Sequence, residues 1–115
     1  MPYVDDHNQA RVRTFINRLE VALIILAKAL LDAPLMGPMP TAIEERRKRL
    51  AVHLLRNTRP FAEDVAALLT ATDTISETST DAEIQSACDS NADTLAWVFD
   101  NAVTDTPYNG QGGPP

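Results

Sequence analysis

Eleven residues, Val21-Ala22-Leu23-Ile24-Ile25-Leu26-Ala27-Lys28-Ala29-Leu30-Leu31, constrain this chain more than any other stretch. Wound as a helix they are apolar on every side, with Lys28 the only charge. A helix that is hydrophobic all round needs protein on most of its faces. The run is too short to cross a bilayer, which takes about 20 apolar residues, and Glu20 and Asp32 close it at both ends. It therefore reads as the central helix of a fold, with later segments packed around it.

The pattern extends this helix upstream. Val12, Phe15, Ile16, Leu19, Leu23, Leu26 and Leu30 recur at spacings of three and four, the period of one helical face. Arg11, Arg13, Asn17, Arg18 and Glu20 take the other side of the first half. Asp5 or Asp6 can cap the start. Pro34, Gly37, Pro38 and Pro40 end the helix near Asp32, since each proline removes a donor and restricts its predecessor. Leu35, Met36 and Met39 lie in that break and are expected to fold back onto the core; the alternative is an exposed apolar contact.

Thr41-Ala42-Ile43-Glu44 and Thr80-Asp81-Ala82-Glu83 are two capping boxes, in which hydroxyl and carboxylate each satisfy an orphan amide. The first opens a helix to about Asn57, with Ile43, Leu50, Ala51, Leu54 and Leu55 inward. Pro60 suits the first position of a third helix, with Phe61, Val65, Leu68 and Leu69 as its stripe, fading near Ala71. Ile75, alone in a polar loop, is expected to plug the core. The second box opens a fourth helix to about Val103, carrying Ile84, Ala87, Cys88, Leu95, Val98, Phe99 and Ala102 inward. Trp97 falls beside that stripe, either as a partly covered edge of the core or as an interface anchor. The expectation is one all-α domain over residues 1–104, a four-helix bundle around the long apolar first helix. Residues 105–115 form an extended Gly/Pro-rich tail.

The charge pattern is lopsided. All ten Lys and Arg lie in residues 1–60 beside six acids, and residues 61–115 hold ten acids and no base. Either the two halves neutralise each other within one fold, or the acidic part of one subunit meets the basic part of the next, a head-to-tail contact that can close a ring. Arg46, Arg49, His53 and Arg56 share one face of the second helix. They read as a solvated face, with an acidic partner as the alternative. The acidic balance elsewhere and the lack of interleaved aromatics argue against a dedicated nucleic-acid site.

Nothing in the sequence spells out catalysis. The four Gly form no phosphate loop, and His7 and His53 have no Cys or His at ligand spacing. Cys88 sits in an apolar helical pattern with no nearby His to activate it. No cofactor and no enzymatic activity are expected, nor a secretory signal, since the first residues are acidic rather than basic. Thr104–Pro115 cannot form a helix, and reads either as a free tail or as an arm that orders on a partner, anchored by Pro107, Tyr108 and Asn109.

One stretch carries a family likeness. Arg49-Leu50-Ala51, Leu54-Leu55-Arg56-Asn57, Phe61-Ala62, Ile75, Ser79-Thr80-Asp81-Ala82-Glu83-Ile84-Gln85 and Leu95-Ala96-Trp97 resemble small helical proteins of the tailed-bacteriophage head and connector. The likeness covers about residues 47–99; the long first helix and the Pro-rich loop stand outside it. It implies a structural virion protein, a head–tail adaptor that forms a ring, twelvefold in such adaptors, beneath the portal and grips it with a C-terminal extension. It also implies location in the virion, and in the host cytoplasm during assembly. A capsid-decorating or head-completion protein fits the same likeness. From the residues themselves, a small regulatory module binding an acidic partner or nucleic acid through Arg46, Arg49, His53 and Arg56 is the rival.

Overall fold

A computed structural model describes the backbone of residues 2–104 and the side chains of residues 9–101. Five helices account for most of it: α1 (Pro2–Asp32), α2 (Ala42–Arg56), α3 (Thr58–Ala71), α4 (Asp81–Ser90) and α5 (Ala92–Thr104). No strand occurs among the described residues, so the fold is all-helical. α2, α3 and α4 each pack on α1, and α5 packs on α2.

The long apolar helix is central, as its composition requires. Leu19, Leu23 and Ala27 are fully buried, and Phe15, Ile16, Ala22 and Leu26 nearly so. Around them lie Leu50, Ala51 and Leu54 of α2, Ala62, Val65, Ala66 and Leu69 of α3, Ile84, Ala87 and Cys88 of α4, and Ala92, Leu95 and Ala96 of α5. Eight of these 21 core residues are alanine. Small side chains at the contacts let helix axes approach toward the short end of the usual 8–10 Å.

Both capping boxes form. Thr41 Oγ1 accepts from the Glu44 amide at 3.1 Å and Glu44 Oε1 accepts from the Thr41 amide at 2.8 Å. The Thr80–Glu83 pair repeats this at 3.1 and 2.7 Å. Ile75 plugs the core, at 4% exposure. The turn that delivers it is a Schellman motif closing α3. Asp73 adopts a left-handed φ of 57°, its amide donates to Thr70 O, and the Thr74 amide donates to Leu69 O. Cys88 is a buried core residue, and burial first, then Asp89, pushes its thiol up to about 12.

Several expectations are corrected. The helix expected from the second capping box to Val103 is two helices, with a break at Asn91. There the Asn91 side-chain amide donates to Ala87 O at 2.8 Å, alongside the Asn91 backbone amide at 3.1 Å. A side chain that bonds its own preceding turn competes with the helical ladder. The break lets α4 follow α1 while α5 turns onto α2, and it resets the helical phase. Val98 consequently lies exposed, and Ala92 and Ala96 take the buried positions. α3 starts at Thr58, which leaves Pro60 at its third residue, still within the first turn, where no intrahelical donor is needed. Val12, Ile43, Leu55 and Leu68 are exposed rather than inward, and Leu35, Met36 and Met39 do not fold onto the core. Ala102 and the tail residues Pro107, Tyr108 and Asn109 lie outside the described side chains.

Candidate interaction surfaces

The charge asymmetry is met largely inside the subunit. Arg47 Nε and Nη2 grip Asp93 at 2.6 and 2.9 Å, and Arg49 holds Asp100 in the same forked way at 3.0 and 2.8 Å. These bonds hold the carboxyls of Asp93 and Asp100 below the usual range and push both guanidinium groups further up. Arg18 donates to Asp81, to Glu77 O and to Ser79 O, tying the 72–80 loop to α1. Arg11 faces Glu77 at 3.4 Å. The basic first half and acidic second half thus pair with each other across α1–α4 and α2–α5, in line with the first of the two alternatives raised by the charge pattern.

The face carrying Arg46, Arg49, His53 and Arg56 is correspondingly committed. Arg46 Nε lies 3.6 Å from Asp100, which Arg49 already holds. The His53 ring packs on Phe99 with centroids 4.4 Å apart, and Phe99 meets Phe61 edge-on at 5.5 Å. Arg56 is exposed, and among the described residues it alone of the four has no side-chain partner.

The uncovered apolar surface is a different matter. The back of α1 exposes Val21 at 59% and Ile25 at 51%. It continues through Leu31 and Leu35 into Met36 and Met39, which are 86% and 77% exposed. A second apolar surface is Trp97, 56% exposed, with Val98, on α5. Trp97 shares its helix face with Asp93 and Asp100 by spacing, so the two Arg–Asp pairs flank it. A third feature is a cleft of about 670 Å³ between α1 and α3, with Val12, Phe15, Ile16 and Ala66 in its walls and Arg13 and Arg59 at its rim. Its position explains why Val12, on the core side of α1 by spacing, is not covered.

The loop between α1 and α2 has a fixed backbone despite its exposed side chains. Glu44, buried beneath it, accepts the Met36 amide at 2.7 Å as well as the Thr41 amide. These two backbone donors, Thr41 first, hold the Glu44 carboxyl below the usual range against the opposing effect of burial. Lys48 Nζ reaches the carbonyls of Leu30, Leu31 and Ala33 at 2.7–2.9 Å, a cation on the negative end of α1. The sequence pattern missed Lys48 in this role; its signal was the four-residue basic run, whose members turn out to serve different partners.

Among the described residues there is no cluster of His, Cys, Asp and Glu that could hold a metal ion, and no helix long and apolar enough to cross a membrane. Compared with protein-family models, with curated proteins and with solved structures, the chain matches none.

Proposed function

We propose that the protein is a structural virion component, a head–tail adaptor whose copies form a ring on the portal of a tailed phage. Its partners are other copies of itself, the portal and the neighbouring head-completion or tail proteins, and its places are the virion and the host cytoplasm during assembly. It acts by contact and not by catalysis.

The observation that carries this reading is the uncovered apolar surface on separate helices: the back of α1 with its following loop, and Trp97 with Val98 on α5. A subunit inside an assembly needs more than one contact surface, and exposed apolar patches of this kind mark sites of association. The rival basic-face reading has less to draw on. Arg46 and Arg49 share the single carboxylate of Asp100, and the His53 ring packs on that of Phe99. The internal ion pairing also removes the charge argument for a ring, so the proposal stands on the apolar surfaces and the family likeness.

The test is to look for the chain by mass spectrometry in gradient-purified tailed particles from its source. Stoichiometric presence is expected, with antibody label at the neck; absence from intact particles overturns the proposal. Label spread over the capsid shell would instead indicate a decorating protein. Deleting residues 105–115 tests the arm, and an undiminished yield of tailed particles would remove it from the mechanism.

A further inference from the structure

We propose that a second copy of this chain covers the back of α1, across a twofold axis near residue 30, with Lys28 of each subunit facing Asp32 of the other. Three observations lead there, and none depends on the virion assignment.

The first is a seam. Val21, Ile25, Lys28 and Asp32 follow one another at spacings of four, three and four, which keeps them in line along one helix face. That face points away from the buried line of Leu19, Ala22, Leu23 and Leu26. Helices with a continuous seam at this spacing pair side by side at 8–10 Å between axes.

The second is charge. Lys28 and Asp32 are exposed and neither side chain has an ion pair or hydrogen bond among the described residues, although most of the arginines are paired. They sit one helical turn apart with opposite signs. An antiparallel copy centred between them brings each against its complement, which is the self-complementarity an isologous contact needs. The same register directs Ile25 and Val21 toward the partner's α1–α2 loop, which carries the exposed Leu35 and Met39. Sliding by one turn would set Lys28 against the partner's Lys28 in one direction and past the end of the partner's α1 in the other, so the pair also fixes the register.

The third is preorganisation. Glu44 and Lys48 hold the α1–α2 loop from beneath, while its methionines project outward. Flexible thioether side chains on a fixed backbone adapt to an apolar partner at little ordering cost to the main chain. A twofold contact closes after two copies. It is therefore distinct from a ring contact, and the α5 surface with Trp97 stays open to other neighbours.

Sedimentation equilibrium of the full chain, from about 1 μM to 1 mM, tests this. The expected mass is twice 12.6 kDa. Val21→Asp combined with Ile25→Asp replaces side chains that already face solvent. Its circular dichroism should stay native while the dissociation constant rises about 100-fold or more. Lys28→Glu and Asp32→Lys should each weaken self-pairing about tenfold, because symmetry places two like-charge pairs in contact each time. An equimolar mixture of those two single variants should recover the wild-type affinity. A monomer throughout the concentration range overturns the proposal. So does a dimer that survives Val21→Asp/Ile25→Asp, or a mixture no tighter than either single variant.

Discussion

Residues 33–41 and 72–80 are both nine-residue breaks between helices, and both end in the Thr of a Thr-x-x-Glu capping box. They treat their apolar residues in opposite ways. Ile75 is driven into the core, whereas Met36 and Met39 are left in solvent. The difference begins in the backbone. α3 closes with Asp73 in the left-handed region, which reverses the chain over the last turn and aims Ile75 back between the helices. α1 runs into Pro34, Pro38 and Pro40, which favour extended backbone, and Lys48 and Glu44 then hold that path from below. A similar closing motif does not determine where a loop's side chains go; the exit from the preceding helix does.

Ile75→Ala breaks the comparison most severely. It removes a fully packed side chain and should cost about 2–4 kcal/mol in chemical denaturation. Met36→Ala and Met39→Ala, though longer side chains are lost, should each change subunit stability by no more than about 0.5 kcal/mol. An equal loss at the two loops would show that the methionines are packed after all.

Arg18→Ala comes next, at about 1–2 kcal/mol, since it strips the donors that Glu77 O, Ser79 O and Asp81 share. The effect should be local to the 72–80 loop, and amide exchange there should accelerate while the 33–41 loop is unchanged.

The capping carboxylate of the 33–41 loop sharpens the comparison through pH. Glu44 serves two backbone amides, one of them at Met36, and its folded-state pKa is lowered. A lowered carboxylate stabilises the fold above its unfolded pKa, and that contribution is lost as pH falls through the folded value. Stability should therefore decline from about pH 5 downward, with Asp93 and Asp100 contributing in the same direction. Glu44→Gln should flatten this slope; an unchanged slope would discount the bonds that Glu44 accepts from Thr41 and Met36.

One further expected effect has the opposite sign. Asp73→Gly relieves a left-handed residue at the end of α3 and should raise stability by about 0.5–1 kcal/mol, read from the thermal midpoint. A loss on substitution would mean that the Asp73 side chain contributes something its backbone geometry does not reveal.

Much of the fold was legible in the chain. The apolar run dictated a central helix, the prolines dictated where it stops, and each Thr-x-x-Glu dictated a helix start, because all three act through local geometry. Ile75 could be assigned to the core since one apolar residue in a polar loop has few other uses. The break at Asn91 was harder. Ser90-Asn91 is a weak helix former, yet the surrounding pattern of Ile84, Ala87, Cys88 and Leu95 still fits one period. Only the need to pack α4 on α1 and α5 on α2 bends the chain there.

The contact surfaces were legible only in part. Arg46, Arg49, His53 and Arg56 do share a face by spacing, but which acids they meet follows from how α5 lies on α2. Lys48 belongs to the same basic run and serves the end of α1 instead.

The sequence by itself determined that helices form, where α2 and α4 are capped, and that Val21–Leu31 lies at the centre of the packing. Those are consequences of backbone satisfaction and of apolar surface meeting water. Tertiary structure alone decided which side of that helix stays open. Three short helices cover the line through Leu19, Leu23 and Ala27, and they are too few to wrap the opposite line through Val21 and Ile25. The fully apolar helix thus has a front, completed within the subunit, and a back that the subunit's own helices leave exposed.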